Sequence, residues 1–218
     1  AAAEPAIIKA EAALNGLDKA ALGELKGLAS PPAAVLNVTA AVTYMLAPKG
    51  ANLKKLDLTW GGAKKVMGDV AKFLEQLQTY DKDNFWLDAK EKVYEYTGTA
   101  ELPDGRTVTQ GFAGTEENPE FNFKYMSGKS SAAAGLRDWI VNICIYHDIY
   151  LDVAPKRAKL AAAEAELAAA NKKLAGVRAH VQALNDKMAA LTEQLETATN
   201  EKNTLVANAE ATQKRANL

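Results

Sequence analysis

The C-terminal run from about Ala154 to Leu218 leaves this chain the fewest choices. Leu160, Leu167, Leu174, Val181, Met188 and Leu195 recur at every seventh position, and Ala163, Ala170, Val177, Leu184, Leu191, Ala198 and Leu205 lie three places further on. That a/d pattern predicts a helix carrying a coiled-coil seam. No proline follows Pro155 and the one glycine of the run is Gly176, so the helix is expected to continue unbroken for roughly 95 Å at 1.5 Å per residue. A narrow apolar stripe of that length needs a partner helix.

A second seam stands at the other end of the chain. Ile7, Leu14, Ala21 and Leu28 mark one heptad row, with Ala10 and Leu17 beside it, and the segment stops at Ser30-Pro31-Pro32. A residue before proline is pushed out of the helical region, and proline suits the first turn of the next helix. The expected fold is mainly α, a small helical-bundle head with one β-hairpin insertion at the tip of an antiparallel coiled coil. Residues 1–30 form the first strand, 31–153 the head and 154–218 the second strand. The first strand is much the shorter, so the seam beyond about Val181 is expected to lack an intramolecular partner. With Ala1-Ala2-Ala3-Glu4-Pro5 at its start and no Met, the chain reads as the distal piece of a longer hairpin.

Composition agrees with one modest core plus a rod: 48% of the 218 residues are hydrophobic but only 7% aromatic. The single cysteine, Cys144, sits in the apolar run Trp139-Ile140-Val141-Asn142-Ile143-Cys144-Ile145, which predicts a buried core thiol and a reducing compartment. No apolar run approaches about 18 residues and the N-terminus lacks a signal-peptide pattern, so a soluble chain is expected, with no membrane partner.

The head opens with an apolar helix from Pro32 to about Leu46. A basic stretch follows, in which Lys49, Lys54, Lys55, Lys64, Lys65 and Lys72 face only Asp57 and Asp69. Such a concentration suggests a docking surface for something acidic. Helices are expected near Trp60–Met67, Val70–Tyr80 and Phe85–Tyr94. Residues 94–113 differ in kind, because Pro103-Asp104-Gly105-Arg106 between Thr- and Val-rich runs signals a hairpin. A lone two-stranded hairpin is marginal, so this flap, with Asp104, Gly105 and Arg106 at its tip, is expected to lean on the head or move, and to be dispensable for the core. Acidic residues flank it at Glu91, Glu95, Glu101, Glu116, Glu117 and Glu120. A short helix near Phe121–Met126 and a long one from about Ser131 complete the head.

No motif reads as an enzyme, and no cofactor is expected. Gly61-Gly62-Ala63-Lys64-Lys65 lacks the spacing and the hydroxyl of a phosphate loop. His147-Asp148 could be a base and its orienting acid, but reads better as a satisfied pair on a helix surface. Asp88, Glu91 and Glu95 share a face that could take a cation, though a solvated acidic face is the simpler reading, and no metal is expected. Trp60, Trp86 and Trp139 read as core anchors.

These residues carry a resemblance. Glu4-Pro5-Ala6, Leu22-Gly23-Glu24-Leu25-Lys26, Pro31-Pro32, Trp60 with Ala63-Lys64-Lys65-Val66-Met67-Gly68-Asp69, and Phe73-Leu74 with Tyr80-Asp81-Lys82-Asp83-Asn84 stand in the order seen in dynein heavy chains. So do Asn118-Pro119-Glu120-Phe121, Ala132-Ala133-Ala134-Gly135-Leu136 with Trp139, and Val153-Ala154-Pro155-Lys156. The chain resembles the microtubule-binding domain and distal stalk of a dynein, and the hairpin resembles the flap of some axonemal dyneins. The resemblance implies a non-catalytic tip in a flagellar inner-arm heavy chain at the axoneme, with ATPase modules elsewhere in the chain. Its implied partners are the α/β-tubulin of a microtubule and the rest of the heavy chain. Family contacts carried over fall on Lys26, on the Pro32–Leu46 helix with Asn37, on Lys72, and on the start of the Ser131 helix with Lys129 and Arg137. Two departures, Leu36 where a Lys is usual and Asp138 beside Arg137, imply either weaker affinity than in cytoplasmic relatives or a contact shifted to Lys49, Lys54, Lys55 and the flap. An alternative from another class is a coiled-coil arm that grips RNA, since lysines serve phosphates equally well. A near balance of acids and bases on the rod and the absence of aromatic-basic interleaving in the head count against nucleic acid. A plain structural coiled coil would not need the patterned head.

Overall fold

The computed structural model describes residues 3–109 and 121–216, in the order α1 (Glu4–Leu14), α2 (Lys19–Gly27), α3 (Ala33–Met45), α4 (Trp60–Val66), α5 (Val70–Gln78), α6 (Leu87–Thr97), β1 (Thr99–Glu101), β2 (Thr107–Thr109), α7 (Phe123–Ser127) and α8 (Ser131–Ala216). It divides into two compact units, residues 1–156 and 157–218. Glu116, Glu117, Glu120, Asn118-Pro119 and the far end of the expected flap lie outside the described residues.

In the first unit α3 is the central element. Ala34, Val35, Val38, Ala41 and Val42 are buried on several sides of it, as expected of a helix that is apolar all round. Its two buried threonines are satisfied locally: Thr39 Oγ1 donates to Leu36 O at 3.0 Å and Thr43 Oγ1 to Thr39 O at 2.8 Å. α3 packs against α4 and α6, while α1 and α2 pack against α5. Trp139 of α8 meets Tyr80 edge-on at 5.4 Å, and Tyr80 meets Phe85 edge-on at 5.6 Å. That aromatic row joins the end of α5, the entrance to α6 and the first buried turns of α8. Trp60 and Trp86, by contrast, are only half-buried.

The expected first coiled-coil strand is two helices, not one. Asn15-Gly16 ends α1, and Asp18 opens α2 by accepting from Ala21 N at 2.7 Å. Ala6, Ala10, Leu14, Leu17, Leu22 and Leu25 are buried within the first unit. They are part of the hydrophobic core of the first unit. The second unit is a single stretch of α8 in which every described residue is exposed. Leu160 is 60% and Leu167 62% exposed.

The hairpin forms where the turn residues predict. Thr99 pairs with Thr109, Ala100 with Val108 and Glu101 with Thr107, antiparallel. Gly105 supplies the positive φ of 80° that the turn needs, and Arg106 N donates to Asp104 Oδ1 at 3.2 Å. α6 runs on to Thr97, so the strands start later than residue 94. Two contacts tie the hairpin to α8: Thr109 N donates to Asp148 Oδ2 at 2.7 Å, and Arg106 lies 3.0 Å from Asp152. Tyr96, just ahead of β1, lies 6.4 Å from both Tyr44 and Phe121. The hairpin thus leans on α8, one of the two behaviours expected of it.

His147 is likewise not on the helix surface. It is 2% exposed, and its Nδ1 stands 2.8 Å from the ammonium of buried Lys90. An ammonium can only donate, so Nδ1 accepts and the ring carries its proton on Nε2. Burial and the Lys90 charge push the imidazole pKa down to about 4. Lys90 also meets Asp148 Oδ1 at 2.5 Å, and Tyr94 OH donates to the same oxygen at 2.7 Å. Cys144 lies buried beside this group, and desolvation raises its thiol to about 12, as expected for an inert core thiol.

Candidate docking surface

Local capping builds the basic stretch. Asn52 caps the short 3-10 turn Leu53–Lys55 by accepting from Lys54 N at 3.1 Å, which leaves Lys54 and Lys55 exposed. Asp57 then accepts from Thr59 N at 3.2 Å and Thr59 Oγ1 at 2.5 Å, and Thr59 caps α4 at Gly62 N. Those bonds from Thr59 hold the Asp57 carboxyl below its usual range. Gly62 is required here for a steric reason, since a Cβ at this position would stand 2.0 Å from Asp57 O. Asp69 caps α5 by accepting from Lys72 N at 3.1 Å. Both acids of the stretch are thus engaged in local hydrogen bonds at the starts of α4 and α5, and Lys49, Lys54, Lys55, Lys64, Lys65 and Lys72 all remain exposed.

Their environments differ. Lys65 has one exposed ion pair, 3.6 Å from Asp57, with its own side chain 81% exposed, a contact worth little in water. Lys64 lies over the Trp60 ring at 6.0 Å, and Trp60 Nε1 donates to Leu28 O at 2.8 Å. Lys26 donates to Met67 O and Gly68 O, both at 3.1 Å. It thus holds the C-terminal end of α4, where a cation complements the helix dipole. Lys129 is exposed and lies 5.5 Å above the Tyr125 ring. Asn37 is half-buried on α3, and Leu36 beside it is half-buried as well.

Arg137 does not belong with these residues. It is 2% exposed, donates from Nε to Phe121 O at 2.8 Å, and pairs through Nη1 with Asp138 Oδ1 at 2.8 Å. Its guanidinium braces the segment entering α7 against α8, a core role that replaces the surface contact expected of it. Sequence reasoning also missed Lys90, because nothing local marks a lysine whose carboxylate partner stands 58 positions away. Among the described residues no cluster of three His, Cys, Asp or Glu side chains is placed to hold a metal ion, and no helix is long and apolar enough to cross a membrane.

Comparison with known proteins places this geometry in a family. The profile described as the microtubule-binding stalk of dynein motor matches residues 1–218. The ciliary dynein beta chain of Tripneustes gratilla is 42% identical over 167 residues, covering 77% of this chain and 3% of that protein. Human dynein axonemal heavy chain 17 is 41% identical over 168 residues, again 77% of this chain and 3% of the relative. The flagellar outer-arm dynein beta chain of Chlamydomonas reinhardtii is 43% identical over 219 residues, covering 99% of this chain and 4% of its own length. The chain thus spans only a few per cent of these relatives. The last of them is named for the outer arm, not the inner arm that the flap suggested.

Proposed function

This chain belongs to the family of microtubule-binding stalks of dynein motors, and from that premise we propose that its lysine-rich surface, residues 49–72 with Lys129, is the face that meets tubulin. The observation that carries this reading is that Asp69 caps α5 and Asp57 holds Thr59, the cap of α4, while all six lysines of the stretch stay exposed. Such a surface steers an acidic partner by long-range attraction and loses strength as salt rises, because exposed charges are screened beyond about 8 Å at physiological ionic strength.

The chain is a binding and signalling element of an axonemal heavy chain in a cilium or flagellum. α8 carries buried head residues such as Leu136 and Trp139 and continues as the rod, so a change in the rod's seam register biases the head directly. The seam favours such changes, since Ala163 and Ala170 are shallow knobs and alternative registers then differ little in energy. Reciprocity requires that tubulin binding shift register by the same free energy. The covering helix comes from the rest of the heavy chain. Co-sedimentation with microtubules in the presence of competing RNA tests the reading. Pelleting that RNA leaves intact supports it, and pelleting that RNA abolishes transfers the lysines to a nucleic-acid role.

A further inference from the structure

Two of the candidate lysines are built differently from the rest. Lys64 lies over Trp60 within α4, and Lys129, in the turn just past α7, lies over Tyr125, at 6.0 Å and 5.5 Å. Lys49, Lys54, Lys55 and Lys72 have no ring contact among the described residues. A cation–π contact of this kind holds a long, flexible ammonium in one place before any partner arrives. Binding then costs less side-chain entropy, and residues of that sort tend to become the energetic centres of an interface while loose charges act on encounter.

Local hydrogen bonds hold the backbone around Tyr125. Asn122 caps α7 by accepting from Tyr125 N at 3.2 Å, and the backbone N–H of Gly128 closes its other end on Lys124 O. Tyr125 itself stays 44% exposed, so an incoming surface can touch the ring as well as the ammonium. Trp60 is committed to the fold through its bond to Leu28 O, whereas the Tyr125 ring has only the Lys129 contact among those described.

We infer that Tyr125 is a specificity-determining residue for the docking surface: it fixes Lys129 and offers its own ring to an acidic protein partner, so that this pair governs residence while the looser lysines govern encounter. The inference rests on the docking reading above. The test measures association and dissociation rates on microtubules across a salt series, using the whole chain. Tyr125→Leu should raise the dissociation rate about threefold, leaving the association rate and salt dependence unchanged. Tyr125→Phe, which keeps the ring, should behave as the wild type. Lys54→Ala with Lys55→Ala should do the opposite, slowing association and flattening the salt dependence. Tyr125→Leu added to Lys129→Ala should cost less than the sum of the two single losses, a non-additivity that a general loss of stability does not produce. Equal behaviour of Tyr125→Phe and Tyr125→Leu, or additive losses in the double variant, overturns the inference. Absence of wild-type binding removes the docking reading, and the inference falls with it.

Discussion

Lys90→Met is the substitution whose effect the structure sets most sharply. Methionine keeps the length and apolar stem of lysine but removes the ammonium. Asp148 then stays where its side chain is only 8% exposed, with two of its donors, Tyr94 and Thr109 N, still in place. Removing one partner of a buried pair costs about 3–5 kcal/mol, and the two surviving donors put the expected loss at the low end, about 3 kcal/mol. In a domain of this size each kcal/mol moves the midpoint by about 2–4 °C, so the melt should drop by about 10 °C. Tryptophan fluorescence is the suitable assay because Trp60, Trp86 and Trp139 all lie in the first unit, whereas circular dichroism would also report the α8 helix outside it. Lys92→Met, two residues along the same helix, is the control. Lys92 has an exposed pair with Glu95 at 2.6 Å, and its loss should cost at most ~0.5 kcal/mol. A Lys90→Met chain that melts within 3 °C of wild type would show that the Lys90–Asp148 pair does not hold α6, the hairpin and α8 together.

Replacing Tyr96 to Gly114 by a short Gly-Ser linker should lower the fluorescence melting point of the first unit, because it removes the Tyr96 ring contacts and the Thr109 N bond to Asp148; an unchanged melt would return the flap to an accessory role. His147 has a folded pKa of about 4 against about 6.5 unfolded, so its stabilising effect is complete above pH ~6.5 and is lost as the pH falls toward 4. The stability advantage of wild type over His147→Gln should therefore shrink by up to about 3 kcal/mol between pH 7 and pH 4, and urea titrations at each pH that show a constant difference would contradict the buried neutral imidazole. Gly62→Ala should destabilise the head by at least ~2 kcal/mol in the same urea titrations, since its Cβ would fall 2.0 Å from Asp57 O and the turn carrying Lys54 and Lys55 would have to shift.

What could be read in advance was what local chemistry decides. Thr59, Asp69 and the Ser130-Ser131 step place the starts of α4, α5 and α8, and Pro103-Asp104-Gly105-Arg106 places the hairpin turn, because caps and turns are settled within four residues. The seam of residues 1–30 reads as one helix where the structure has two. An Ala/Leu row at heptad spacing is the same whether it faces a partner helix or α5 and the head core, and only the Asn15-Gly16 break with Asp18 behind it hinted that the helix stops. Lys90, His147 and Asp148 were out of reach because their meaning lies in a long-range contact between α6 and α8. Arg137 was misread in the same way: a charge in sequence suggests surface, and only Phe121 O and Asp138 show that it is satisfied inside.

The central claim is that exposed lysines of the 49–72 stretch make the tubulin contact, and charge reversal tests it most directly. Lys54, Lys55, Lys64 and Lys65 are exchanged together for Glu, and co-sedimentation with microtubules is compared with wild type at low and at physiological salt. All four side chains are exposed, and the one ion pair among them, Lys65 with Asp57, is a long surface contact, so the fluorescence melt should change by less than about 1 kcal/mol in stability. Wild type should pellet and weaken as salt rises, while the folded variant should stay in the supernatant at both salt levels. A folded variant that pellets like wild type would place the tubulin contact on another face of the head.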